Sequence, residues 1–172
     1  MRTLSTTLIF LILLAGPVLA GEQTMSTPSG WFDFENCVFC KNLIEDPGLL
    51  PHCTWENFKI ENGAMNIMTI EPAYKESMEK ANAAMNRIGM EIQSGKRNPM
   101  TEKMCGSCQQ WGMLMGSGVE MEQVKGEAAE VTLMTSEDPQ LVKRLHELVD
   151  RNNEEMAIMM GQDSDHEHDH HH

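Results

Sequence analysis

The chain has 172 residues, with 13 Lys and Arg against 26 Asp and Glu for a formal net charge of −13, and only 5% of its residues are aromatic. Nucleic-acid affinity draws on clustered Lys and Arg, and single strands stack on aromatic rings, so this composition excludes a nucleic-acid partner. The length suits one domain with tails, and the unusual counts are 16 Met and 5 Cys.

Residues 1–20 read as a secretory signal. Arg2 supplies the positive start, Leu8 to Leu14 the apolar stretch, Gly16-Pro17 a break, and Val18-Leu19-Ala20 a small-residue cleavage site. The apolar stretch is short for a membrane span of ~20 residues, so cleavage after Ala20 is expected rather than anchoring. Position 21 is Gly, which gives no lipid attachment point, and loss of Arg2 takes the charge from −13 to −14. No later stretch suits a bilayer, so the expected protein is secreted or periplasmic, with no membrane contact after signal cleavage. Residues 21–30 (GEQTMSTPSG) read as a flexible lead-in, 31–160 as a single α+β domain, and 161–172 (GQDSDHEHDHHH) as a disordered tail.

The domain opens on a Cys37-Val38-Phe39-Cys40 arm, where Phe39, Leu43 and Ile44 suit a helix start. After the turn Asp46-Pro47-Gly48 and the pair His52-Cys53, Phe58 and Ile60 alternate with polar neighbours. Asn62-Gly63 predicts a two-residue turn, and Met65 to Ile70 predicts the returning strand. Met78, Ala81, Met85, Ile88 and Ile92 then fall on one face of a helix that Pro72 opens and Ser94-Gly95 closes. Beyond the linker Gly95 to Pro99 comes a second arm, Cys105-Gly106-Ser107-Cys108, followed by Trp111 and Leu114. Val119 and Met121 alternate with Glu120 and Glu122, Lys125-Gly126 predicts a weaker turn, and Val131 to Thr135 the return. Leu141, Val142, Leu145, Leu148 and Val149 stripe a last helix, with Ser136 as expected N-cap and an end near Gly161.

A shift of 64 residues overlays the two halves. Ile60 meets Val124, Ala64 meets Ala128, Ile67 meets Val131, Ile70 meets Met134, Met78 meets Val142, Ala81 meets Leu145, Ala84 meets Leu148 and Met85 meets Val149. The CxxC pairs are offset by 68. The expectation is a tandem duplication, about 31–95 and 100–160, of a unit made of CxxC arm, β-hairpin and α-helix. A lone hairpin is marginal, so the two should form one four-stranded antiparallel sheet with both long helices on one face, an α+β fold.

Two thiolates three residues apart close on one ion through a tight turn, and two such pairs make the Cys₄ shell of a structural zinc site. Cys37, Cys40, Cys105 and Cys108 are therefore the candidate metal ligands, with His52 and Cys53 as candidate additions in a C-x₂-C-x₁₁-H-C pattern. The same cysteines allow two further readings: structural disulfides, as suits an extracytoplasmic protein, or a reactive CxxC of a thiol–disulfide oxidoreductase or redox sensor. Cys105-Gly106-Ser107-Cys108 has the form of a thioredoxin-type motif but lacks the preceding buried strand and βαβ context. Met100, Met104, Met113 and Met115 bracket the second pair, and thioether beside thiolate is a copper(I)-selecting set; as gap-fillers they equally suit packing. His166, His168, His170, His171 and His172, interleaved with acids, form an accessory metal-binding tail. His146 reads as a surface or boundary residue. No hydrolase, zinc-protease or nucleotide-loop motif is present in the sequence. The expected function is that of a non-enzymatic binder of zinc or copper(I); the alternatives are the oxidoreductase and a disulfide-stapled interaction domain.

Overall fold

Alternating side chains between short turns make hairpins, and a 3.6-residue stripe makes the helices that cover them. In a computed structural model that describes residues 27–127 and 129–161, strands β1 (Cys53–Ile60) and β2 (Gly63–Ile70) form the first hairpin, and β3 (Glu120–Lys125) and β4 (Ala129–Thr135) the second. They join in one four-stranded antiparallel sheet of order β1-β2-β4-β3. Helices α1 (Lys75–Gln93), α2 (Gly106–Gly116) and α3 (Pro139–Met159) complete an α+β fold. Among the described residues no helix is long and apolar enough to cross a membrane. Residues 1–20, expected as a signal segment, and the histidines expected as an accessory tail lie outside the described residues.

Both turns are displaced from the expected positions, the first one residue earlier and the second later. Ile60 pairs with Gly63, so Glu61-Asn62 makes the first turn rather than Asn62-Gly63. Lys125 pairs with Glu130 and the Gly126 N–H donates to the Ala129 carbonyl, so the second turn lies past Lys125-Gly126. The hairpins are therefore equivalent at an offset of 66, not 64. The glycine at 63 has a different purpose from the one its turn signature suggests. Its φ is not positive, but a Cβ placed there would stand 1.9 Å from the Met134 carbonyl oxygen on β4. Only a residue without a side chain lets β2 and β4 approach there, because the obstacle is backbone and cannot swing aside. Gly63→Ala is expected to cost about 3 kcal/mol, the upper end of overpacking penalties, read as a drop in the urea midpoint.

Helix α3 starts from Asp138, not Ser136: the Asp138 side chain accepts from the Gln140 N–H at 2.8 Å, while Ser136 Oγ accepts from the Asp138 N–H. Pro139 takes the first helical position, where its missing donor costs nothing. Gly161, at φ 69, closes the helix by donating to Ile158. The stripe residues Leu145, Leu148 and Val149 are buried against Ala64, Met134, Leu114 and Val119, forming the principal core. α3 lies across β1 and β2, whereas α1 packs against the arm residues 40–43 and uses Met78 and Ala81 against Leu49. The two long helices thus have different neighbours. Within the segment expected as a lead-in, Thr27 is buried and its N–H donates to the Phe32 carbonyl.

Candidate metal centre

Each CxxC sits where the chain turns into a helix. Cys40 begins a short 3-10 helix, Cys40–Leu43, and Cys105 is the N-cap of α2. Such a turn lets two sulfurs three residues apart close on one ion. In each pair the first cysteine precedes the helix and the second lies within it, Cys40 in the 3-10 helix and Cys108 in α2, so the two pairs are built alike.

The fold brings the two pairs together. The ligand atoms of Cys37, Cys40, Cys105 and Cys108 all lie within 4.8 Å of one another, with Cys40 Sγ 3.6 Å from Cys105 Sγ and 3.5 Å from Cys108 Sγ. A tetrahedral ion with metal–sulfur bonds near ~2.3 Å has sulfur–sulfur edges of ~3.8 Å, so the thiols are already close to the spacing one ion requires. All five cysteines of the chain are free thiols. Cys37, Cys105 and Cys40 are 0, 4 and 9% exposed, and Cys108 is half-buried. The shell is apolar, made by Phe34 and Leu50 with Phe32, Phe39, Trp55 and Met159 packed on it. An apolar shell keeps out water and strengthens any ion–thiolate attraction inside it.

Crowding the thiols forces their protons to be shared. The neighbouring sulfurs of Cys105, Cys108 and Cys40 hold Cys37 far below the ordinary thiol range, and Cys105, lowered chiefly by Cys108, falls to about 7. Cys40 and Cys108 are pushed far above it, each chiefly by its contact with Cys105. Four crowded sulfurs cannot all be ionised without a cation; a divalent ion displaces the remaining protons.

The arms are tied to each other and to α3 by groups that carry no metal-ligand signature. The Val38 N–H donates to the Lys103 carbonyl at 2.8 Å, joining one arm to the other. The first amides of α2 are capped by the N-terminal strap, since Gly106 and Ser107 N–H donate to the Gly30 and Trp31 carbonyls at 3.1 and 3.0 Å. Trp31 lies so close over the CxxC loop that a Cβ on Gly106 would stand 2.8 Å from its ring. Asn152 on α3 then holds both: its Oδ1 accepts from Trp31 Nε1 at 2.8 Å and from Ser107 Oγ at 3.2 Å. One turn on, Glu155 is 1% exposed, accepts from Ser29 Oγ at 2.7 Å and pairs with Arg151 at 2.5 Å. Neither Asn152 nor Glu155 was singled out by the sequence reading. Their signal is positional, because Leu145, Leu148, Asn152, Glu155 and Met159 continue one stripe, and polar residues on a core stripe need partners.

The remaining candidates are elsewhere. His52 Nδ1 stands 3.0 Å from a Glu71 carboxylate oxygen and its ring stacks on Tyr74. Cys53 packs beside the Leu49, Met78 and Ala81 cluster, and burial pushes its thiol up to about 11. Neither joins the four-cysteine group. Met100 and Met113 are exposed while Met115 packs on the principal core. His146 is half-buried, with Nε2 2.9 Å from the Ile60 carbonyl. His166, His168, His170, His171 and His172 lie outside the described residues. No family model, curated protein or solved structure matches this chain.

Proposed function

We propose that this chain is an extracytoplasmic, non-enzymatic metal-binding protein in which Cys37, Cys40, Cys105 and Cys108 hold a single ion, zinc in a structural role. The observation that carries the reading is the convergence of two distant CxxC pairs into one buried group of sulfurs within 4.8 Å. Four thiolates at tetrahedral spacing suit zinc or iron; copper(I) handling is the variant that the exposed methionines and the histidine tail would support. The tail is an accessory site, and its first residues follow Met159, which packs on the cysteine cluster. The extracytoplasmic location rests on the signal-like segment 1–20, and Gly21 as the first residue of the exported protein would support it. The tandem duplication of CxxC arm, hairpin and helix is part of the same proposal, supported by the two CxxC turns of like construction and the constant 66-residue offset of the hairpins.

The test is elemental analysis with thiol counting on exported protein, full-length and truncated after Met160. About one zinc per chain in both forms, with the four thiols reduced, is the expected result. Absence of metal with oxidised cysteines would overturn it, and copper in place of zinc would replace the structural role with copper handling. One observation favours the oxidoreductase reading: Cys105 stands at the N-terminus of a helix and falls to about 7. Its 4% exposure opposes that reading, since a nucleophilic sulfur must reach an external disulfide. Turnover in an insulin-reduction assay would decide for it.

A further inference from the structure

In an antiparallel sheet covered on one side, the apolar residues normally face the covering layer and the polar ones face water. This sheet has the opposite arrangement at its centre. The covered face carries the row Asn57, Asn66, Thr132 and Gln123, with Asn57 bonded to Asn153 of α3 and to Asn66. The residues between them point to the other face. There two adjacent rows run across all four strands: Phe58, Met65, Leu133 and Glu122, then Glu56, Ile67, Val131 and Val124. No described helix packs on these rows, and Phe58 and Val124 are 40 and 52% exposed. A contiguous apolar face of this kind marks an interaction site.

The two rows also carry a charge pattern. Glu56 and Glu122 occupy diagonally opposite corners of the block, with Phe58 and Val124 at the other two. A second copy fits this pattern poorly. Turned face to face about an axis along or across the strands, each glutamate lands on Phe58 or Val124 of the other copy, a carboxylate buried without a partner. Turned about the diagonal, glutamate meets glutamate, between chains that each carry −13. The face is also small, about 14 by 7 Å between its corner residues from strand spacing and rise, well short of the ~800 Å² per partner of a standard stable interface.

We propose that this face is a docking site for a basic amphipathic helix of another protein, with its apolar stripe over Met65, Ile67, Val131 and Leu133 and a Lys or Arg at each end paired with Glu56 and Glu122. Three strand spacings across and two residues along put the carboxylate-bearing corners ~16 Å apart. A helix rising 1.5 Å per residue spans that distance in about 11 residues, which returns to the same helical face. The proposal does not depend on the metal reading, since none of the four cysteines lies on this face.

The probe is a labelled synthetic helix with leucines on one face and lysines at positions i and i+11, titrated by fluorescence anisotropy against the metal-loaded full chain. A matched helix with glutamates at those two positions is the control. The lysine helix is expected to bind about tenfold or more tighter than the glutamate helix, the effect of two exposed ion pairs replaced by two repulsions. The double variant Glu56→Lys with Glu122→Lys changes only exposed corners and should invert the preference, while Ile67→Lys should abolish binding of both helices. Equal binding of the two helices, no binding of either, or no inversion in the double variant overturns the proposal. Self-association in sedimentation that Val131→Glu abolishes assigns the face to a second copy instead, and binding to anionic vesicles that Ile67→Lys abolishes assigns it to a lipid surface.

Discussion

Removing zinc from the loaded protein is expected to lower its melting temperature by about 10–20 °C, the shift that a loss of several kcal/mol gives a domain of this size. Structural zinc sites bind with roughly 10–16 kcal/mol, and that free energy appears as folding free energy because the site does not exist in the unfolded chain. Here the ion would close a contact between segments 65–68 residues apart, Cys40 with Cys105 and Cys108. The loss should be local first. The principal core of Ala64, Met134, Leu145, Leu148 and Val149 contains no cysteine, whereas Phe34 and Leu50 pack directly on the sulfurs. Hydrogen exchange on chelated protein should therefore lose protection around residues 37–44 and 103–108 while β2 and β4 keep theirs. Cys40→Ser removes the sulfur that touches both members of the opposite pair and should reproduce the effect without a chelator. An unchanged melting temperature in the metal-free protein would reject the structural role.

Trp31→Ala is the second large effect. It should cost about 3 kcal/mol, the low end for a packed tryptophan because the ring is half-buried, and weaken zinc binding by about 10–100-fold, the range for lost supporting contacts around a metal site. The reason is the position of Trp31 between two elements. Its carbonyl accepts from Ser107 inside the second CxxC, its Nε1 donates to Asn152, and the Arg151 guanidinium lies 5.7 Å from its ring centroid. Gly106→Ala should weaken zinc in the same way from the other side, by pushing the ring off the loop. Competition with a chromophoric chelator reads the affinity, and a chemical melt reads the stability. A variant destabilised as expected but with wild-type zinc affinity would make the strap a packing feature alone.

The elements were legible in the amino-acid sequence because their signals are local. The stripe from Met78 to Ile92 and the stripe from Leu141 to Val149 became α1 and α3, and the alternating segments became the four strands. Turn positions were displaced because a glycine has two uses: Gly63 signals a turn by its neighbour Asn62 but is needed for a close strand approach. The N-cap moved from Ser136 to Asp138 because Pro139 at the first helical position sets where the helix begins. Among the candidate ligands, the four CxxC cysteines converge while His52 is held by Glu71 and Tyr74, a partnership no spacing rule contains.

From sequence alone came what two to four neighbouring residues decide: the CxxC geometry, the helical stripes, the hairpins, the acidic charge and the class of ligand a thiolate pair prefers. Tertiary structure alone decided which distant groups meet. It set the sulfurs of Cys40 and Cys108 3.5 Å apart and made the strap around Trp31 part of the centre. Among the described residues it also left the apolar rows of the sheet without a helix over them, because strand alternation says that two faces exist but only packing says which one a helix takes.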